Sequence, residues 1–204
     1  MLPDKPAETE FPIHDLIRRR WSPRAFADRP VELEKLGSLL EAARWAASSN
    51  NEQPWRFILA GRERPDDFAR LLGCLKESNQ AWARHAPLLM LSVARLTFTD
   101  DCDPNRHALH DVGQAVATMA IQATALGFVI HQMAGFFQDK ARELLGIPAG
   151  FEPVTAVAIG YQGDPAILPD RQRQRELAPR ERASLASFIF SGQWGGPAPM
   201  ATDR

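Results

Sequence analysis

Arg20, Ser22 and Arg24 alternate within Arg18-Arg19-Arg20-Trp21-Ser22-Pro23-Arg24, so an extended backbone places two guanidinium groups and a hydroxyl on one side. Guanidinium forks with a hydroxyl between them suit a phosphate or a polyol. A solvated basic turn is the plainer alternative. Arg180-Glu181-Arg182 repeats the alternation late in the chain, beside Arg171, Arg173 and Arg175. It reads either as a second anion-binding arm or as a solvated basic tail. Between these arms lies Ser48-Ser49-Asn50-Asn51-Glu52-Gln53-Pro54-Trp55. Its short polar side chains either build a turn or present amides to the polar edge of a heteroaromatic ring. In Gln132-Met133-Ala134-Gly135-Phe136 the small residues allow a backbone N–H to approach a flat ligand closely, or simply make a tight turn.

Other chemistries find little support. His107 and His110 can share a helix face, with Asp111 adjacent, but no third ligand follows at a metal-site spacing, so no metal is expected. The chain has no Gly-x-Ser-x-Gly, and neither Cys74 nor Cys102 has a convincing histidine partner, so a side-chain nucleophile is not expected. The two cysteines read as reduced thiols of a cytoplasmic protein. Formal net charge is −1, which points to neither nucleic acid nor a membrane surface as partner. The acidic, proline-containing start is the reverse of a signal peptide, and no apolar run reaches the length of a membrane span.

The elements that must position these residues follow from periodicity. The chain, 204 residues long, suffices for one domain with a core. Residues 1–10 are expected to be a flexible tail, 11–195 the domain and 196–204 a C-terminal tail. A short helix fits 11–20, blocked by Pro23. Leu33, Leu36, Leu40 and Ala43 give a helix over 31–46, with Glu32 and Glu34 at its start and Arg44 near its end. Residues 55–60 read as a strand and 66–76 as a helix. The nearly continuous apolar run at 87–94 fits a strand buried on both faces. A helix over 105–126 is apolar nearly all round, hence buried in the core or at a subunit interface, and Gly127 stops it. A strand at 128–130, a helix at 138–145, a strand at 154–161 and an amphipathic piece at 185–190 complete the order. This alternation permits a doubly wound fold, but no glycine-rich phosphate loop follows any strand.

Taken in order, these pieces resemble the FMN-dependent nitroreductase family. The resemblance rests on Arg20-x-Ser22-x-Arg24, a helix, then Ser48-Ser49-Asn50-Asn51-x-Gln53-Pro54-Trp55 and a strand. It continues with Asn79-Gln80-Ala81-Trp82, Ala125-Leu126-Gly127, Met133-Ala134-Gly135-Phe136, Leu144-Leu145-Gly146-Ile147-Pro148, Ile159-Gly160-Tyr161 and Arg180-x-Arg182. It spans about 11–195. It implies an α+β nitroreductase fold, with a central mixed, mostly antiparallel sheet flanked by helices, in an intertwined homodimer with two interfacial FMN sites. Arg20, Arg180 and Arg182 would hold the FMN phosphate and ribityl chain. Trp21 and Ser22 lie on the same arm, and Arg24 and Asn79 would sit near the pyrimidine edge. Ser48, Ser49 and Asn51 would come from the partner chain. Met133, Ala134 and Gly135 would bring backbone N–H groups towards flavin N5.

The resemblance further implies NADH or NADPH as co-substrate. A small electron acceptor, such as a nitroaromatic or a quinone, would be reduced by a ping-pong mechanism with no catalytic side chain. An enal, aldehyde or dehalogenating reductase, an FMN store or sensor, and a non-flavin anion-binding domain are the alternatives. Two departures stand out. Ala134 replaces a glutamate common among relatives. Trp82 replaces a basic residue, which exchanges a cation near the flavin for an expected aromatic wall.

Overall fold

The computed structural model describes residues 2–198; the end of the expected C-terminal tail, 199–204, lies outside the described residues. A four-stranded sheet forms the middle layer. Its strands are β1 (Trp55–Gly61), β2 (Leu88–Arg95), β3 (Val129–Met133) and β4 (Phe151–Gly160), in the order β1-β2-β4-β3. All three pairings are antiparallel, which excludes the doubly wound alternative. The α+β expectation holds, with no parallel pair in this sheet.

β2 is buried along nearly its whole length, as its unbroken apolar run requires. Its side chains alternate between two cores. Leu88, Met90 and Ala94 pack with helices α2 (Leu33–Arg44) and α5 (Ala108–Ala125). Leu89, Leu91 and Val93 face the opposite layer. That layer contains α3 (Pro65–Cys74), α4 (Glu77–Ala83) and α6 (Gln138–Leu145). The period of two in β2 therefore sorts one strand's side chains into two hydrophobic layers.

α5 buries Val112, Ala115, Val116, Met119 and Ala123 on α2 and the sheet. Its alanines permit that close approach. Gly113 and Ala117 on its other face remain exposed. Gly127, at φ 78, and Gly146, at φ 64, end α5 and α6 in the left-handed conformation that glycine adopts without a Cβ clash.

Three segments extend the frame. α1 (Asp15–Arg19) leads into the arm carrying Arg20, Ser22 and Arg24. That arm runs alongside the end of β4: Ala27 N–H donates to Tyr161 O and Gly163 N–H to Ala25 O, both at 2.9 Å. A Cβ on Gly163 would meet the backbone carbonyl carbon of Phe26 at 2.4 Å, so only glycine allows this approach. Finally, α7 (Asp170–Leu177) crosses back over the arm.

Candidate functional site

The arm is fixed from below by one carboxylate. Glu176 of α7 is 1% exposed and accepts hydrogen bonds from the backbone N–H groups of Arg24, at 2.9 Å, and Ala25, at 3.1 Å. Its Oε2 also lies 3.7 Å from Arg24 Nη1. A buried carboxylate with these partners is compensated, and it holds the main chain at Arg24 in one register. Arg24 sits at a bend and pairs with Glu176.

Arg20 gathers with Arg180 and Arg182. Burial is the main cause that lowers the Arg20 pKa, and the charges of Arg180 and Arg182 lower it further. Burial, then Arg182, lowers that of Arg180. Among the described residues none of the three forms an ion pair with a carboxylate. Instead Arg20 Nη1 donates to Ser22 Oγ at 3.2 Å, Arg180 Nη1 to the carbonyls of Lys5 (2.6 Å) and Arg18 (3.2 Å), and Arg182 Nη1 to Glu181 O at 2.7 Å. Each guanidinium keeps further N–H donors free of these bonds. Three guanidinium groups without an ion-pair partner among the described residues, one of them half-buried, could hold an anion.

The loop after β3 closes on the same side. His131 Nδ1 lies 3.0 Å from Pro23 O, which ties the arm to β3. Burial pushes the His131 pKa down to about 4, with Arg24 acting in the same direction, so at neutral pH the ring is uncharged and its Nδ1–H donates to Pro23 O. Two residues beyond His131 begin Met133-Ala134-Gly135. Ala134 O accepts from Phe136 N–H at 3.0 Å. The peptide is planar, so the N–H of Gly135 points the opposite way in a fixed direction. Gly135 O accepts from Lys76 N–H at 2.9 Å and from Asn79 Nδ2 at 3.0 Å. A Cβ on Gly135 would stand 2.5 Å from Asn79 Nδ2, so a side chain there would displace the Asn79 amide. The structure thus brings together Trp21, Ser22 and Arg24 with the β3 end, and Asn79 with Gly135.

It does not bring Ser48, Ser49 and Asn51 to that cluster. Their turn precedes β1, and the Ala134-Gly135 loop follows β3, the opposite edge of the sheet. Three inter-strand spacings, about 14 Å, separate those edges. The turn itself is firmly built. Ser49 N–H donates to Oδ2 of buried Asp111 at 3.1 Å, and Gln53 N–H to Ser48 Oγ at 3.1 Å. Asn50, Asn51 and Gln53 all have φ between 52 and 56°, a left-handed backbone costly for side chains with a Cβ.

Trp82 departs from expectation. It is 1% exposed, stacked with Phe26 at 6.3 Å and tilted against His131 at 4.6 Å, so it is core rather than a wall of the site. Its indole fills the space beneath the arm, a demand of packing that its place in the motif did not reveal. Sequence reasoning missed Glu176 and His131. Glu176 sits in a stretch so polar that it reads as solvated, and His131 is a lone histidine in a strand. Asp111, set beside the histidines in a discarded metal reading, turns out to anchor the polar turn. Among the described residues no group of histidine, cysteine and carboxylate side chains is arranged to hold a metal, and no helix is long and apolar enough to cross a membrane.

Comparison with known proteins gives a consistent picture. The sequence profile of the Nitroreductase family matches residues 17–83 and 64–161. A Mycolicibacterium smegmatis protein described as "Uncharacterized 15.4 kDa protein in ask 5'region" is 36% identical over 132 residues, covering 65% of this chain and 87% of that protein. The "Major NAD(P)H-flavin oxidoreductase" of Aliivibrio fischeri is 36% identical over 94 residues, 44% of this chain and 41% of that one. A solved oxidoreductase containing FMN superposes with a TM-score of 0.89 at 38% identity, covering 96% of this chain and all of that one. By the reach of the family profile, which runs from the arm through all four strands of the sheet, this chain belongs to the nitroreductase family.

Proposed function

We propose that this chain is an FMN-dependent NAD(P)H oxidoreductase that works as a homodimer. The observation that carries the reading is the uncompensated trio Arg20, Arg180 and Arg182, which fits a phosphate monoester. Ser22 accepts from Arg20 and so limits the swing of that guanidinium. Arg24 contributes positive charge near the pyrimidine edge, tempered by Glu176. Asn79 braces the Gly135 carbonyl, and the fixed Gly135 N–H suits a donor towards flavin N5. Held there, FMN would supply the hydride-transfer chemistry that links NADH or NADPH to a nitroaromatic, a quinone or another small electrophile in ping-pong order. The protein's part is to position and to place charge, with no side chain required as acid or base.

Two observations support the dimer. The Ser48, Ser49 and Asn51 turn is strained and anchored, yet lies at the opposite edge of the sheet from the Ala134-Gly135 loop of its own chain. Trp194 is 90% exposed and Leu33 84%, and Leu109, Phe188 and the Gly113 and Ala117 face of α5 are uncovered too. These exposed apolar side chains are the kind of surface that a subunit interface would cover.

The test is direct. The purified protein is expected to be yellow, to release FMN on denaturation and to bleach anaerobically with NADH or NADPH. Colourless protein that cannot be reconstituted with FMN overturns the reading. Yellow protein that neither nucleotide bleaches points instead to storage or sensing of flavin.

A further inference from the structure

The segment preceding α1 is bound to both arginine-bearing arms at once. Gln162 Nε2 donates to Pro3 O at 2.8 Å. Lys5 Nζ donates to Glu176 O at 2.8 Å and to Ala178 O, and stands 4.8 Å over the Trp21 ring. Ala7 N–H donates to Arg18 O at 2.8 Å. The guanidinium of Arg180 bonds Lys5 O and Arg18 O together. One carbonyl comes from the N-terminal segment and the other from the stretch leading to Arg20, so Arg180 is aimed by both.

Lys5 is the pivot of this arrangement. Carbonyls at the end of a helix lack partners and carry the negative end of its dipole, so they attract an ammonium, here against the burial and the charges of Arg180 and Arg24 that lower the Lys5 pKa. Glu176, whose carbonyl Lys5 meets, also holds Arg24 and Ala25 through its carboxylate. Lys5 therefore joins the end of α7, the Trp21 arm and Arg180.

We propose that Lys5 is a positioning residue for phosphate recognition. It docks residues 3–7 on the end of α7 and thereby sets the spacing of Arg20, Arg180 and Arg182, without touching the ligand. The proposal rests on the FMN reading above. Its consequence is specific: what Lys5 organises is the phosphate end of the site, not the ring end.

The experiment compares FMN with riboflavin, which lacks the phosphate. Both are titrated into the full chain stripped of flavin, for the wild type, Lys5→Met and Lys5→Arg. Methionine keeps the stem against Trp21 and loses the donors, whereas arginine keeps donors for the α7 carbonyls. Lys5→Met is expected to raise the Kd for FMN about tenfold, leave riboflavin unchanged, and be rescued in Lys5→Arg. An unchanged FMN affinity in Lys5→Met, or equal weakening of FMN and riboflavin, overturns the proposal. A wild-type protein that binds neither flavin overturns the FMN reading itself, and the role of Lys5 with it.

Discussion

The two carboxylate oxygens of Glu176 share the single backbone N–H of Arg24, each at 2.9 Å, and Oε2 lies 3.7 Å from that residue's guanidinium. These residues are 152 positions apart, so the contact fixes how the C-terminal part of the chain sits on the N-terminal arm. Removing the carboxylate orphans two N–H groups, one buried and one partly buried, and leaves Arg24 unpaired. Glu176→Leu is therefore expected to destabilise by about 3 kcal/mol in urea unfolding, and Glu176→Gln, which keeps one carbonyl acceptor, by less. Equal and small effects of the two would show that the carboxylate does not hold the arm.

The arginine trio makes the opposite prediction for stability. Arg20→Ala and Arg182→Ala each remove one of three like charges, so the flavin-free protein is expected to lose little stability or to gain a few tenths of a kcal/mol. FMN affinity is expected to fall about 10- to 100-fold for each, the size of a lost charge-assisted contact to phosphate. Fluorescence titration reads the affinity and thermal melts read the stability. A double variant with wild-type FMN affinity would refute the phosphate assignment.

How far these relationships could be read from sequence differs by element. β2 and α5 were legible because their burial is written in apolar residues, a continuous run in one and helical spacing in the other. α7 was not: Asp-Arg-Gln-Arg-Gln-Arg-Glu-Leu has no apolar stripe, and the one residue it buries is a glutamate. α4 spans only seven residues, too few for its period to show. β4 begins at Phe151, three residues earlier than its alternation suggests, because Pro153 argues against a strand. It is accommodated where the β2–β4 register shifts between Ser92 and Val93. The arginines of the site were visible as a pattern, and their sorting into a free trio and a paired Arg24 was not. That sorting is decided by where Glu176 lies in three dimensions. The contacts of residues 3–7 escaped notice for the same reason, since they are made almost wholly with backbone carbonyls.

Asp111 offers a test of the polar turn. Its carboxylate is buried and accepts from Ser49 N–H, so it links the first turn of α5 to residues proposed to serve the partner's flavin. Asp111→Ala is expected to cost about 1–2 kcal/mol and to speed FMN loss from the dimer, while Asp111→Asn, which retains an acceptor, restores most of both. Unfolding midpoints and the rate of flavin release on dilution measure the two effects. If Asp111→Ala destabilises without changing flavin release, the turn is only structural.

His131 gives stability a pH dependence of defined sign. Its pKa falls to about 4 in the folded protein because burial, reinforced by Arg24, disfavours the charged ring, while in the unfolded chain it titrates near 6.5. Below 6.5 the unfolded state therefore binds a proton that the folded state does not. The stabilisation is complete above pH 6.5 and is lost as pH falls from there towards 4, by roughly 3 kcal/mol at most. Glu32 and Glu41, both held near 2 in the folded state, begin to contribute only below their ordinary value of 4.5. The interval from pH 6.5 to 5 thus isolates the histidine from them. Protonation would also add a positive charge beside Arg24, which opposes it, whereas the bond from His131 to Pro23 O favours the charged ring. His131→Gln retains a donor for that carbonyl but cannot titrate. In urea unfolding of the flavin-free protein between pH 5 and 7, the wild-type midpoint is expected to rise with pH and that of His131→Gln to rise measurably less. Parallel slopes in the two proteins would place the titration elsewhere.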